Sequence, residues 1–152
     1  MSTKTIADGL ARNHGTRDPF TIANELGFIV VFAPLVDMRG FQQSAKRRRL
    51  IYINDELDEQ QQRLVCAHEL AHHLLHRGMN RIFMDQNTYM VTQRFETEAN
   101  RFAVDLIYSD EELQPYLSRS YDCAAAYMGV SKALAEYRMG EVMPEHPADE
   151  WA

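Results

Sequence analysis

The sequence predicts one mostly helical α+β domain, on three observations. Residues 28–32 and 50–53 are apolar runs rich in β-formers, stopped by Pro34 and by Asn54-Asp55. Residues 56–77 and 92–108 repeat apolar side chains at helical spacing. No repeat or linker interrupts the 152 residues, a length typical of a single domain.

The elements follow in order. Residues 1–17 are polar, carry little signal and are read as an N-terminal segment. Asp18 suits an N-cap and Pro19 the first helical position of a short helix that Gly27 closes. The first strand spans 28–32. Residues 37–49, with Gly40 and a polar stretch, read as a loop or irregular hairpin, and the second strand spans 50–53. A long helix over 56–77 stops at Gly78. Residues 79–90 read as a loop with some extended structure, before the second long helix over 92–108. Ser109 and Glu112 form a capping box for a short helix that Pro115 disturbs. Two further short helices, 121–127 and 132–139, meet at Gly129-Val130-Ser131. The main domain is therefore expected over 18–140, and 141–152, with Pro144 and Pro147 among acids, as a disordered tail.

Composition narrows the function classes. Apolar residues make up 45% and charged residues 25%, enough apolar content for a core that needs no disulfide. Sixteen basic against 22 acidic residues leave a net charge of −6, which removes the electrostatic case for nucleic-acid binding in general. No apolar run reaches the roughly 20 residues of a membrane span, and the N-terminus lacks the order of a signal peptide. Cys66 and Cys123 form no CxxC and suit free thiols in a reducing cytosol, so a cytoplasmic location is expected.

Histidine is the unusual residue: His68, His72, His73 and His76 stand together in a chain with 6 in all. His68-Glu69-Leu70-Ala71-His72 is HExxH on an expected helix. Histidines four apart share a helical face, with Cβ atoms about 5–6 Å apart, and can both reach one zinc. The glutamate next to the first can act as general base toward water at that ion. At about 100° per residue, both histidines fall inside the arc of Leu64, Ala67, Ala71, Leu74 and Leu75, and Cys66 falls on the other side. His73 points off this face. His76 lies roughly 12 Å along the axis from His68, too far to share its ion, and reads as a hydrogen-bonded or solvent-edge histidine.

A catalytic zinc needs a third protein ligand. On the second long helix, Glu96 lies within the apolar arc of Ala99, Phe102, Ala103 and Leu106, whereas Glu98 falls beside Arg94, Arg101 and Asp105. Glu96 is thus read as the buried carboxylate and third ligand, and Glu98 as the solvated one. The plainer reading of Glu96 is a buried acid paired with an arginine. Asn100, one turn on, can accept a hydrogen bond from a liganding imidazole and fix its tautomer.

These segments, HELAHHLLH at 68–76 and ETEANRFAVDLI at 96–107, resemble the ImmA/IrrE metallopeptidases. RLIYIND at 49–55 and MGVSKALAEYRMG at 128–140 resemble the family more loosely, and Leu106-Ile107-Tyr108-Ser109 departs from the Leu-Leu-Met-Pro of many members. The resemblance implies a zincin-like, gluzincin core with a small, largely antiparallel sheet packed against the HExxH helix. It implies His68, His72 and Glu96 as metal ligands, Glu69 as the catalytic acid–base and Asn100 behind a ligand. It further implies a zinc-dependent endopeptidase, with manganese as the alternative ion. The expected substrate is a protein partner, a helix-turn-helix repressor of a prophage, mobile element or stress locus. Tyr89 and His76 are candidate oxyanion donors, and strand 50–53 can offer an edge to an extended substrate.

A rival reading is a regulatory protein that binds metal, a repressor or DNA and hydrolyses nothing. It rests on the helix-turn-helix look of Gly129-Val130-Ser131 and on the basic run Lys46-Arg47-Arg48-Arg49. Against it stand the net charge and the acids Glu136, Glu141 and Glu145. Simple helical packing and a solvated loop account for both features. A third reading is a zinc hydrolase of a substrate other than peptide. Cys66 is read as a small packing residue.

Overall fold

A computed structural model describes residues 1–76 and 88–144, with the side chains of residue 45 and residues 88–91 excepted. Among the described residues, seven α-helices, one short 3-10 helix and a three-stranded sheet follow in the order α1 (Thr3–His14), α2 (Pro19–Glu25), β1 (Phe28–Ala33), β2 (Gly40–Ala45), β3 (Arg48–Asn54), α3 (Glu59–Leu75), α4 (Thr88–Ile107), α5 (Asp110–Leu113), the 3-10 turn Gln114–Ser118, α6 (Tyr121–Met128) and α7 (Lys132–Gly140). The mostly helical α+β class holds. The described residues form two compact units, divided between Ile107 and Tyr108.

The first unit is built around the sheet and two long helices. Asp18 caps α2 through Phe20 N at 3.1 Å, with Pro19 in the first turn. Gly27, at φ 86°, turns the chain into β1. The sheet order is β1-β3-β2, with β1 parallel and β2 antiparallel to β3, so the sheet is mixed. Residues 40–45 form a full strand where a loop or irregular hairpin was expected, because main-chain pairing does not require the apolar alternation that marks a strand in sequence. Phe41 stacks on its register partner Tyr52 with ring centres 4.5 Å apart. Lys46 and Arg47 form the two-residue hairpin tip, with φ of 47° and 70°, the positive sign that a type I′ turn requires. Ile51 and Ile53 on β3 are fully buried against the helices.

Because β3 is paired on both sides, it has no edge for a substrate, contrary to the expectation for 50–53. The edge strand β2 packs on α3. Gly40 makes this approach possible: a Cβ there would lie 2.5 Å from a Val65 methyl and 2.6 Å from the Tyr52 carbonyl oxygen.

Helix α3 starts at Glu59 because Asp58 accepts a hydrogen bond from Gln61 N at 2.8 Å. It packs on α2, β2, β3 and α4. This surround buries Cys66 completely, although the helical wheel put that residue on the outer side. Helix α4 begins four residues earlier than expected. The expected stop at Gly78 and the loop before residue 88 lie outside the described residues.

Helix α1 occupies the polar segment that carried little signal. Ser2 caps it and Gly15, at φ 67°, ends it. Its packing against α4 covers a face of that helix assigned to solvent from sequence. Asp105 is consequently fully buried and accepts from the Thr3 hydroxyl at 2.9 Å. Arg17 donates to the Asp105 and Leu106 carbonyls at 3.1 and 3.0 Å, closing the C-terminal end of α4.

In the second unit Ser109 caps α5 through Glu112 N at 3.1 Å, as expected. The Tyr108 hydroxyl donates to the Met128 carbonyl at 2.8 Å. Arg138 is fully buried and donates to the Tyr108 carbonyl at 2.8 Å and to Asp110 at 2.6 Å. Helix α7 therefore spends its arginine on the interior, which leaves Lys132 as its exposed basic side chain. The expected tail beyond residue 144 lies outside the described residues.

Candidate metal centre

The site stands where α3 faces α4, and each side chain reaches it for a local reason. Leu64, Ala67, Leu70 and Ala71 bury one side of α3, and Ala99, Phe102 and Ala103 bury one side of α4. The pitch of α3 then carries His68 and His72 to one spot one turn apart, their Nε2 atoms 3.1 Å from each other. Glu96 of α4 divides its carboxylate between them. Oε2 lies 2.8 Å from His68 Nε2, and Oε1 lies 2.8 Å from His72 Nε2.

The donor set fits a divalent ion. Ligand atoms of His68, His72 and Glu96 all lie within 4.8 Å of one another. A tetrahedral zinc at about 2.0–2.1 Å would space its ligand atoms roughly 3.3–3.4 Å apart, within about half an ångström of what is found. Two imidazoles and a carboxylate suit zinc and leave a fourth position for water. The histidines are also presented correctly. His68 Nδ1 lies 2.8 Å from Asn100 Oδ1, which places the ring proton on Nδ1 and leaves the Nε2 lone pair facing Glu96.

The burial of the acids differs from the helical-wheel expectation. Glu96 keeps 47% of its side-chain surface exposed, and Glu98 only 33%. Glu98 is not a solvated bystander, since His76 reaches it at 3.2 Å and Arg94 at 3.3 Å. The wheel failed because it ranks directions around one helix and cannot include the end of another. Glu69 is buried, and Gln42 of β2 donates to its carbonyl oxygen at 3.0 Å and to its carboxylate at 3.3 Å. Gln42 was missed, for nothing in Gly40-Phe41-Gln42-Gln43 marks it as close to α3.

The chain is similar to known proteins. The IrrE N-terminal-like domain, a peptidase family, matches residues 23–140. A protein of Bacillus phage phi105 called uncharacterized immunity region protein 2 is 31% identical over 138 residues, 89% of this chain and 87% of its own. The metallopeptidase ImmA of Bacillus subtilis (strain 168) is 29% identical over 145 residues, 91% of this chain and 85% of its own.

The chain belongs to the ImmA/IrrE metallopeptidase family. As an ImmA/IrrE metallopeptidase it uses a divalent metal ion and acts on protein substrates. None of the described helices is long and apolar enough to cross a membrane.

His76 has Nδ1 on His72 and Nε2 on Glu98, so neither nitrogen is left for an oxyanion, and the donor role expected for it does not fit. Tyr89 belongs to the first turn of α4, and its side chain lies outside the described residues. His73 meets Arg49 at 2.9 Å and the edge of Phe28, away from the ligand set as expected. Cys66 is no nucleophile. Burial, helped by the charges of Asp18 and Glu69, pushes its thiol far above the usual range.

Proposed function

We propose that the chain is a zinc-dependent endopeptidase that cuts one protein partner, a helix-turn-helix repressor of a prophage, mobile element or stress locus. One observation carries the catalytic half: a single carboxylate, Glu96, touches Nε2 of both HExxH histidines at 2.8 Å. In this reading His68, His72 and Glu96 hold the ion, and manganese is the alternative to zinc. The bound ion supplies Lewis acidity, which acidifies water and polarises the scissile carbonyl.

The protein's own groups then do the rest. Glu69 takes the proton of the attacking water and delivers it to the leaving amine. Its burial and its bond from Gln42 restrict the carboxylate to one orientation. Asn100 fixes the His68 ring. The outer edge of β2 offers main-chain groups to an extended peptide, which would then pass beside Gln42 and Glu69.

The repressor half is supported by the similarity to a protein named for a phage immunity region and by the resemblance of the two metal-helix segments. The test is incubation with purified helix-turn-helix repressors from the same genome, with and without chelator, read by intact mass. The expected result is two fragments whose masses sum to substrate plus one water, lost on chelation. An uncut repressor with metal-loaded enzyme would remove that substrate, and cleavage unaffected by chelator would remove the metal mechanism.

A further inference from the structure

The two HExxH histidines are held from behind by different devices. His68 leans on one amide, Asn100. His72 leans on a chain of side chains. Its Nδ1 lies 3.1 Å from His76 Nδ1, and His76 Nε2 lies 3.2 Å from Glu98 Oε2. Arg94 Nε donates to the other Glu98 oxygen at 3.3 Å. The His76 side chain is only 4% exposed, and its ring centre sits 4.2 Å from that of Phe95. It also ends α3, its backbone N–H returning to the His72 carbonyl at 3.2 Å. Packing and main chain together fix where its two nitrogens point.

Proton placement makes this chain directional. Ligation through Nε2 leaves the proton of His72 on Nδ1. The nitrogen it meets, His76 Nδ1, must then accept. His76 therefore carries its own proton on Nε2 and donates it to the Glu98 carboxylate. Each donor meets an acceptor, and the series runs from the ligand to a negative charge one helix away.

We infer that His76 and Glu98 are positioning residues for the metal ligand His72, selecting its tautomer, aiming its ring and raising its basicity toward the ion. This rests on the reading of His68, His72 and Glu96 as ligands. It assigns His76 a role behind the metal rather than at the substrate, and it gives Glu98 a function that its position beside arginines concealed.

Zinc affinity of the purified full chain, measured by competition with a chromophoric chelator, tests it together with the visible spectrum of the cobalt(II) form. His76→Phe keeps a ring against Phe95 and removes the acceptor. It should weaken zinc binding about 10–100-fold and alter the cobalt spectrum. His76→Asn places an amide oxygen near the lost Nδ1 and should recover part of both. Glu98→Gln keeps the shape at a partly exposed site and should weaken binding by a smaller factor. Wild-type affinity and spectrum in both His76→Phe and Glu98→Gln would overturn the inference while leaving the ligand set intact. A wild-type chain that bound neither zinc nor cobalt would overturn the ligand set itself, and this inference with it.

Discussion

Glu69 and Glu96 are both glutamates beside the same two histidines, and their surroundings separate their roles. Glu69 is 7% exposed and held by Gln42, whereas Glu96 reaches in from a half-open position to touch both imidazoles. A buried, oriented carboxylate suits proton transfer, and one shared between two nitrogens suits a ligand. Glu69→Gln should therefore retain zinc at wild-type stoichiometry while kcat falls about 10²–10⁴-fold. Metal analysis beside a cleavage assay checks both halves, and a variant that cleaves normally would remove Glu69 from the chemistry. Asp8 gives a separate handle on α1. Burial raises its pKa, but hydrogen bonds and charge from Lys4 and Arg17 outweigh this and hold the carboxyl below its ordinary 3.8. A depressed native pKa means stability that is present above the unfolded value and lost as pH falls through the native one. Asp8→Asn should thus lower Tm at pH 7, and the gap from wild type should close as pH falls below the carboxyl's ordinary value and through its lowered native one, as thermal melts across pH would reveal.

At the scale of elements, β2 and α1 are the pieces that position the site and that the sequence hid. Strand β2 brings Gln42 to Glu69 only because Gly40 permits contact with Val65 and the Tyr52 carbonyl. Gly40→Ala must move backbone rather than a flexible side-chain tip. It should cost about 1–3 kcal/mol by denaturant titration and lower kcat at unchanged zinc content. An unaltered midpoint would mean that the strand shifts freely. Helix α1 acts on the opposite end of α4. It buries Asp105, and Arg17 closes the last turn, so α4 is braced at the end far from Glu96. The amphipathic signal of α4 placed Asp105 in solvent because it takes no account of a helix from elsewhere in the chain.

At the scale of the whole molecule, the ion is expected to tie α3 to α4 and so to contribute to folding as well as catalysis. Free zinc at about 100 times its Kd should add about 2.7 kcal/mol to the native state. For a chain of this size that is a rise in Tm of roughly 5–10 °C over the chelated protein, readable by calorimetry. Equal melting temperatures with and without zinc would contradict binding confined to the folded site. Net charge also belongs to this scale. The acidic balance of −6 contrasts with a basic hairpin tip at Lys46 and Arg47, yet α7 keeps Arg138 inside against Asp110. The helix pair at Gly129-Val130-Ser131 thus presents little positive charge to a phosphate backbone.

The HExxH spacing and the single helical turn that sets His68 beside His72 were legible from residue order alone, whereas the burial on which Glu96 was preferred to Glu98 was not. A helix repeats with a known pitch, so four-residue intervals carry three-dimensional meaning by themselves. The caps at Asp18 and Ser109 were legible for the same reason, being contacts among near neighbours in the chain. What tertiary packing alone decided was everything that joins distant segments: Gln42 reaching Glu69, Glu98 turning toward His76, α1 covering Asp105, and β3 becoming central rather than an edge. Such contacts depend on which elements meet, and no local period or composition encodes that meeting.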